Sequence, residues 1–238
     1  MQRFYFDMIL WKDLLIDDKD FFHQISHVLR SRIGDEIILF NWDSSEYVYS
    51  VSEINKKWIN LELKSIYENN SDPKNILNLY QALPNKYEKI EYIIQKWVEI
   101  WISKFIFWNS ERSQKLTIND KKIERFNYII KESLEQCHWN KKPDLIFLDK
   151  INFSWVEWEK LVCHTKMTKY WESEFKDSHK EINLFVWPEW GFSDKEIEEF
   201  EKNWAQFINF WERVLRTETV WIVVGFSILN NWFDKLIF

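Results

Sequence analysis

Only three of the 238 residues are glycine, so the chain has few places where its backbone can enter the left-handed region without strain. Average usage would supply roughly 17. Tryptophan, ordinarily among the rarest residues, occurs 16 times. Such a chain must either avoid tight turns and close backbone approaches or place large rings at them. Several tryptophans do stand in polar, turn-like settings, as in Asn41-Trp42-Asp43 and Asn231-Trp232. The surplus of tryptophan is about as large as the deficit of glycine.

The remaining composition is ordinary, with 46% hydrophobic and 29% charged residues and a mean hydropathy of −0.44. These values exclude a disordered chain, a collagen-like chain and a disulfide scaffold. No apolar run approaches the roughly 18 residues of a spanning helix. Met1-Gln2-Arg3-Phe4 lacks the basic and apolar regions of a signal peptide. Two cysteines, Cys137 and Cys163, fit a reduced cytoplasmic protein with no metal cluster. The expectation is a cytoplasmic protein without a membrane partner. The net charge of −6 argues mildly against nucleic acid.

Residues 1–67 read mostly as strands: Arg3–Asp7, Glu36–Phe40 after a Gly34-Asp35 turn, Glu46–Ile54 and Ile59–Ile66. One helix, Asp18–Arg30, carries Phe21, Phe22, Ile25, Val28 and Leu29 at helical spacing, with Asp17 or Asp18 as cap. Short strands between turns suggest a small antiparallel β-barrel. Residues 68–75 are polar, include one proline, and read as a linker. From Ile76 strands and helices alternate. The strands are Ile76–Leu83, Lys104–Phe107, Leu145–Leu148, Ile182–Val186 and Gln206–Phe210. The helices are Lys86–Trp101, Asp120–Cys137, Ser193–Trp204, with a capping box from Ser193 and Glu196, and Glu218–Lys235. That alternation implies a parallel sheet covered on both faces, an α/β domain over residues 76–238.

Few residues suggest chemistry by spacing alone. His23 and His27 are four apart on a helix, a zinc-compatible spacing, but no third ligand is nearby and two ordinary histidines are the simpler reading. Cys163-His164 is a weak nucleophile–base pair, since adjacent side chains rarely face each other. Two strand-to-helix loops are richer: residues 185–193, Phe-Val-Trp-Pro-Glu-Trp-Gly-Phe-Ser, and residues 210–219, Phe-Trp-Glu-Arg-Val-Leu-Arg-Thr-Glu-Thr. Both fall at carboxyl ends of strands, where open α/β sheets bind ligands. On periodicity alone, a shared pocket and two plain capped connections are equally good readings.

With glycine at 187 and 190 the first loop would read G-P-E-G-G-F-S, and the second contains L-R-T-E-T before an apolar helix. Together these resemble the C-terminal signature of the RsmE family, 16S rRNA (uracil-N3)-methyltransferases of the SPOUT superfamily. Ile25–Glu46, with its V-L-R and G-D elements, resembles the family's N-terminal barrel. Gln81–Ser113 resembles its central Q-A-L, Q-K and E-R-S elements, and Glu135-Gln136 its E-Q segment. Trp42, Trp101, Trp187, Trp190, Trp204, Trp211 and Trp221 stand where the family has glycine or a small residue. Some bacteria read the codon UGA as glycine, and a translation under another code writes tryptophan there. The expectation is that most or all 16 are glycine in the native protein, an idea that UGG codons at these positions would overturn.

The resemblance implies an N-terminal PUA-like β-barrel, an RNA-binding domain, joined to a C-terminal SPOUT α/β domain with a trefoil knot. It implies S-adenosyl-L-methionine as cofactor, 16S rRNA or the small ribosomal subunit as partner, no metal, and a homodimer through the C-terminal domain. By position, the cofactor residues would be Val186, Trp187, Pro188, Glu189, Trp190, Gly191, Trp211, Val214, Leu215, Arg216, Thr217 and Thr219. Methylation at uracil N3 needs a base or a stabilised uridinate. Arg216 would stabilise uracil oxygens or a phosphate. Glu218 would be the base or a complement to the helix dipole. Arg3, Arg30, Arg32, Arg112 and Arg125 would contact RNA, for which Arg112–Lys142, with eight basic and four acidic side chains, offers a local positive balance. The family's arginine after the E-Q segment is replaced here by His138-Trp139-Asn140-Lys141-Lys142. Two rival readings stay open, a SPOUT methyltransferase with another RNA target and a catalytically inactive RNA-binding relative.

Overall fold

The computed structural model describes residues 1–43, 45–69, 73, 75–164, 181–208 and 217–229, with the backbone alone for Thr217 and Glu218. The chain divides into two compact units, Met1–Ser71 with Leu134–Lys142, and Asp72–Ser133 with Pro143–Phe238. The return of Leu134–Lys142 to the first unit is a feature that the reading of residues 68–75 as a simple linker did not contain.

The first unit holds β1 (Arg3–Tyr5), β2 (Asp13–Ile16), α1 (Lys19–His23), β3 (Glu36–Phe40), β4 (Ser45–Ile54) and β5 (Ile59–Glu68). The five strands form one sheet in the order β1-β3-β4-β5-β2. Its pairings are antiparallel except β1 with β3, which run parallel, so the all-antiparallel expectation is corrected at that edge. Alternation buries Ile37, Leu39, Tyr49, Val51 and Leu61 with Phe4, Phe21 and Ile25 in one core. Phe21 meets the rings of Phe4 and Phe6 edge-on, both at 5.1 Å between centroids. The Asp18 carboxylate accepts the Phe21 N–H at 2.8 Å and caps α1. The helix continues as a wider π turn over Gln24–Val28 rather than as one regular helix to Arg30. β2 escaped the sequence reading because only Leu14 and Ile16 of its four residues are buried.

The second unit holds β6 (Ile76–Ala82), α2 (Tyr87–Glu99), β7 (Lys104–Trp108), α3 (Asp120–Cys137), β8 (Asp144–Leu148), β9 (Glu159–Cys163), β10 (Glu181–Val186), α4 (Asp194–Lys202), β11 (Gln206–Ile208) and α5 (Thr217–Leu229). The last four residues of α3 belong to the first unit. Six strands in the order β11-β9-β10-β6-β7-β8 form a sheet parallel throughout. β9 was not anticipated, because Glu159-Lys160-Leu161-Val162-Cys163 is short and begins with two charges. Its Cys163 is buried and burial pushes the thiol up from its ordinary value, which removes it as a nucleophile.

Two helix ends carry tryptophan where glycine is usual. α2 stops with the Ile102 N–H on the Trp97 carbonyl at 3.2 Å and the Trp101 N–H on that of Val98 at 3.1 Å. α4 repeats the pattern, with Ala205 N–H on Phe200 at 3.1 Å and Trp204 N–H on Glu201 at 3.2 Å. These paired bonds are the Schellman arrangement, whose left-handed residue is usually glycine. Here that residue is Trp101 at φ 66° and Trp204 at φ 58°. Trp158, in the turn before β9, lies at φ 65°. Among the described residues five non-glycines have positive φ and three of them are tryptophan, a residue too bulky to favour that region. Trp204 is 91% exposed, Trp155 82% and Trp190 72%, unusual for the most apolar ring.

Among the described residues three indole N–H groups go unanswered. Trp97 and Trp221 stack at 5.6 Å between α2 and α5, and the Nε1 atoms of Trp97, Trp101 and Trp221 lack hydrogen-bond partners. Gly225 faces the same seam, where an added Cβ would meet the Trp97 ring at 2.7 Å.

Candidate functional site

The loop from β10 to α4 is fixed from several sides. Gln81, fully buried at the end of β6, donates from Nε2 to the carbonyls of Ala82 at 2.8 Å and Trp187 at 3.2 Å. Its Oε1 is buried without a partner among the described residues. Gly191 takes φ +74° and its N–H closes a turn on the Pro188 carbonyl at 2.9 Å. No atom of the described residues lies within 4 Å of where its Cβ would be, and at this φ glycine is required by conformation. Phe192 then enters the core against Trp108 and Phe200, and Ser193 caps α4 in the capping box that the sequence announces.

Glu189, expected at the cofactor, turns its carboxylate to the protein. Oε1 accepts Lys89 Nζ at 2.7 Å and the Asn85 N–H at 3.1 Å. Burial raises its pKa, but the bonds from Lys89, Asn85 and its own backbone, with the charge of Lys89, outweigh burial and hold it below the ordinary carboxylate value. A depressed carboxylate pKa contributes stability above the unfolded value that is lost as pH falls through the folded one. Glu189→Gln is therefore expected to cost up to about 1 kcal/mol at neutral pH, the pair being partly exposed. The gap between wild type and variant should close as the solution is acidified below about pH 4. Chemical denaturation across pH checks this, and a gap that widens in acid would refute it.

A third loop joins this one. The Arg112 guanidinium donates through Nη1 to the Trp190 carbonyl at 3.2 Å. The Glu111 N–H donates to Glu196 Oε1 at 3.1 Å, while Glu196 Oε2 accepts the Ser193 N–H at 2.8 Å. Glu196 thus ties residues 110–113 to the N-terminus of α4. The sequence shows Glu196 only as a capping residue and Gln81 and Lys89 only as parts of a motif and a helix. Nothing in spacing reveals that they converge on one loop.

The other expected residues divide. Trp187 is half-buried against Phe185 and its neighbours, whereas the Trp190 ring points to solvent and Trp221 is packed against Trp97 and Tyr92. Trp211, Val214, Leu215 and Arg216 lie outside the described residues. Thr217 and Glu218 open α5 and Thr219 is exposed. Arg30, Arg32, Arg112 and Arg125 are exposed, with Arg125 3.4 Å from Glu91. Arg3 is 2% exposed. Its Nε donates to Glu46 at 3.0 Å, Nη1 to the Leu134 carbonyl at 3.0 Å and Nη2 to Asn140 Oδ1 at 2.6 Å. An arginine so committed has no donor to offer RNA, and that expectation is withdrawn.

Residues 71–228 match the family model of an RNA methyltransferase domain, and residues 16–64 that of an RNA methyltransferase PUA domain. The chain belongs to the RNA methyltransferase family. It is 30% identical over 222 residues to the ribosomal RNA small subunit methyltransferase E of Buchnera aphidicola from Acyrthosiphon pisum, covering 89% of this chain and 85% of that one. It is 30% identical over 207 residues to the protein of the same name from Mesomycoplasma hyopneumoniae, covering 82% and 86%. Among solved structures, a Legionella pneumophila methyltransferase with bound S-adenosylmethionine superposes with a TM-score of 0.83 at 26% identity, covering 96% of each chain. In a family of RNA methyltransferases, the loop 186–193 at the carboxyl edge of a parallel sheet is the expected kind of ligand position. Among the described residues no group of three or more His, Cys, Asp or Glu could hold a metal, and His23 and His27 stack their exposed rings at 5.2 Å.

Proposed function

We propose that the protein transfers a methyl group from S-adenosylmethionine to N3 of a uridine in 16S rRNA, as a cytoplasmic homodimer. The observation that carries this reading is the loop 186–193 held by Gln81, Lys89 and Arg112 at the carboxyl edge of the sheet, in a chain of this family. The names of the Buchnera and Mesomycoplasma relatives support the rRNA substrate, and the Legionella complex supports the cofactor. The described half of the cradle fits that cofactor. Gly191 turns the backbone without a side chain, and the unpartnered Gln81 Oε1 supplies a buried acceptor for an amine. Val186–Gly191 and Trp211–Thr219 would hold it, the second segment closing the trefoil knot.

S-adenosylmethionine supplies an electrophilic methyl group when bound. The chain's own work is to position uracil N3 and remove its proton. Arg216 would lower the cost of the uridinate through its permanent charge. Glu218 would accept the proton. Arg112, with one donor on the Trp190 carbonyl, keeps the rest of its guanidinium for phosphate, and Arg30, Arg32 and Arg125 extend the basic surface. The dimer reading is supported by α5, which leaves Val223 and Phe226 44% and 42% exposed, one turn apart.

The tryptophans at left-handed helix ends support the reading of UGA as glycine in the native protein. Mapping of 3-methyluridine in 16S rRNA from a deletion strain tests the function. Loss of one modified site, restored by the gene with its own codon usage, is expected. An unchanged map would overturn it.

A further inference from the structure

A cavity of about 740 Å³ opens at the carboxyl ends of β7 and β8. That is within the size range of small-molecule sites. It shares a wall with the cofactor loop, because Ser110, Glu111 and Ser113 line it while Arg112, between them in the chain, donates to the Trp190 carbonyl. The wall is stiff. Ser110 and Ser113 bond each other, with hydroxyls 3.1 Å apart, and Glu111 is bonded to the buried Glu196. Phe153 and Ile151 give the cavity an apolar side, and Lys115 and Lys150 stand at it as cations. Asn109 also lines it. Its backbone N–H is satisfied by the Leu148 carbonyl at 3.3 Å, yet its side-chain Oδ1 is buried with no partner among the described residues. A buried acceptor left unmatched costs stability, and such groups persist where a ligand completes them.

We propose that this cavity receives an unstacked nucleotide of the RNA substrate. The base lies along Phe153 and Ile151, an N–H or O–H of the nucleotide reaches Asn109 Oδ1, and Lys115 and Lys150 neutralise the adjoining phosphate. Glu196 acts as the positioning residue that holds the shared wall. A flat, mostly apolar ring with a few hydrogen-bonding edges and an anionic tail matches this mixture of walls, and enzymes that modify a base take it out of its stack. The proposal rests on the RNA-methylation reading and adds the location of the acceptor.

Two full-length variants test it. Asn109→Leu removes the orphan acceptor at similar volume, and Ile151→Trp fills the half-buried mouth. Both are expected to lower kcat/KM for small ribosomal subunits by about tenfold or more, the worth of one buried hydrogen bond. Binding of S-adenosylhomocysteine by calorimetry should stay within about twofold, less than the energy of one net hydrogen bond. Asn109→Leu should melt at the wild-type temperature or above it, a gain that a structural role would not give. If Asn109→Leu fails to fold, Ile151→Trp decides. Wild-type kcat/KM in the folded variants would overturn the proposal. A wild-type enzyme that methylates no uridine N3 would instead overturn the function proposed above, so the two failures are distinguishable.

Discussion

Replacing Trp101, Trp158 and Trp204 together by glycine is expected to stabilise the protein by about 3 kcal/mol, roughly 1 kcal/mol for each left-handed residue relieved. For a chain of this length that is a rise of about 6–12 °C in Tm. The direction is what makes the experiment informative. Removing a tryptophan ordinarily costs about 3–5 kcal/mol, because a large ring leaves a core. Here Trp204 and Trp158 are 91% and 66% exposed, so little burial is lost. Trp101 is half-buried, but its indole N–H is already unsatisfied. In all three, the β-carbon crowds its own backbone at φ 58–66°. Glycine loses more entropy on folding, which keeps the gain near the lower end of the range. Thermal unfolding of the triple variant and of each single one checks the result. A fall in Tm would show that these rings are native partners of the fold, and the glycine reading would then have lost its structural support.

Those positions show what was legible in the sequence. Five of the six strands of the second unit and the capping box on α4 follow from apolar periodicity and from one Ser–Glu pair, both local signals. The helix boundaries at 101 and 204 were harder, since a tryptophan reads as part of an apolar face and a glycine reads as a stop. Read as glycine, both ends fall one residue past a cap. β2 and β9 were missed because four or five residues with charges among them carry too little pattern. The loop 186–193 was located by its place between a strand and a capped helix, and its reading as a cofactor loop came from the resemblance. Its anchors Gln81, Lys89 and Arg112 lie 78 to 106 residues away and become neighbours only through the parallel order of β10, β6 and β7. No spacing rule spans such a distance. The same holds for Arg3, which charge alone assigned to RNA.

Arg3→Met is expected to destabilise the protein by about 3 kcal/mol, the cost of breaking a buried ion pair and leaving one partner behind. The Arg3 guanidinium bridges Glu46 in the sheet to the Leu134 carbonyl and Asn140 beyond α3, and lies 4.2 Å from the centre of the Phe40 ring. Its removal leaves the Glu46 carboxylate, 18% exposed, without its cation, and takes a donor from the Leu134 carbonyl and from Asn140 Oδ1. Methionine refills the volume along the Phe40 ring, so the loss reflects charge and hydrogen bonds rather than a cavity. Lysine should not rescue it, because a single ammonium cannot reproduce donors pointing in three directions from one plane. Were Arg3 a phosphate contact, Arg3→Met would leave stability almost unchanged and make RNA affinity less sensitive to salt by about one counterion. Denaturation and salt-dependent RNA binding, measured on the same variant, separate these outcomes. Loss of stability with an unchanged salt slope identifies Arg3 as the tie that holds residues 134–142 within the first unit.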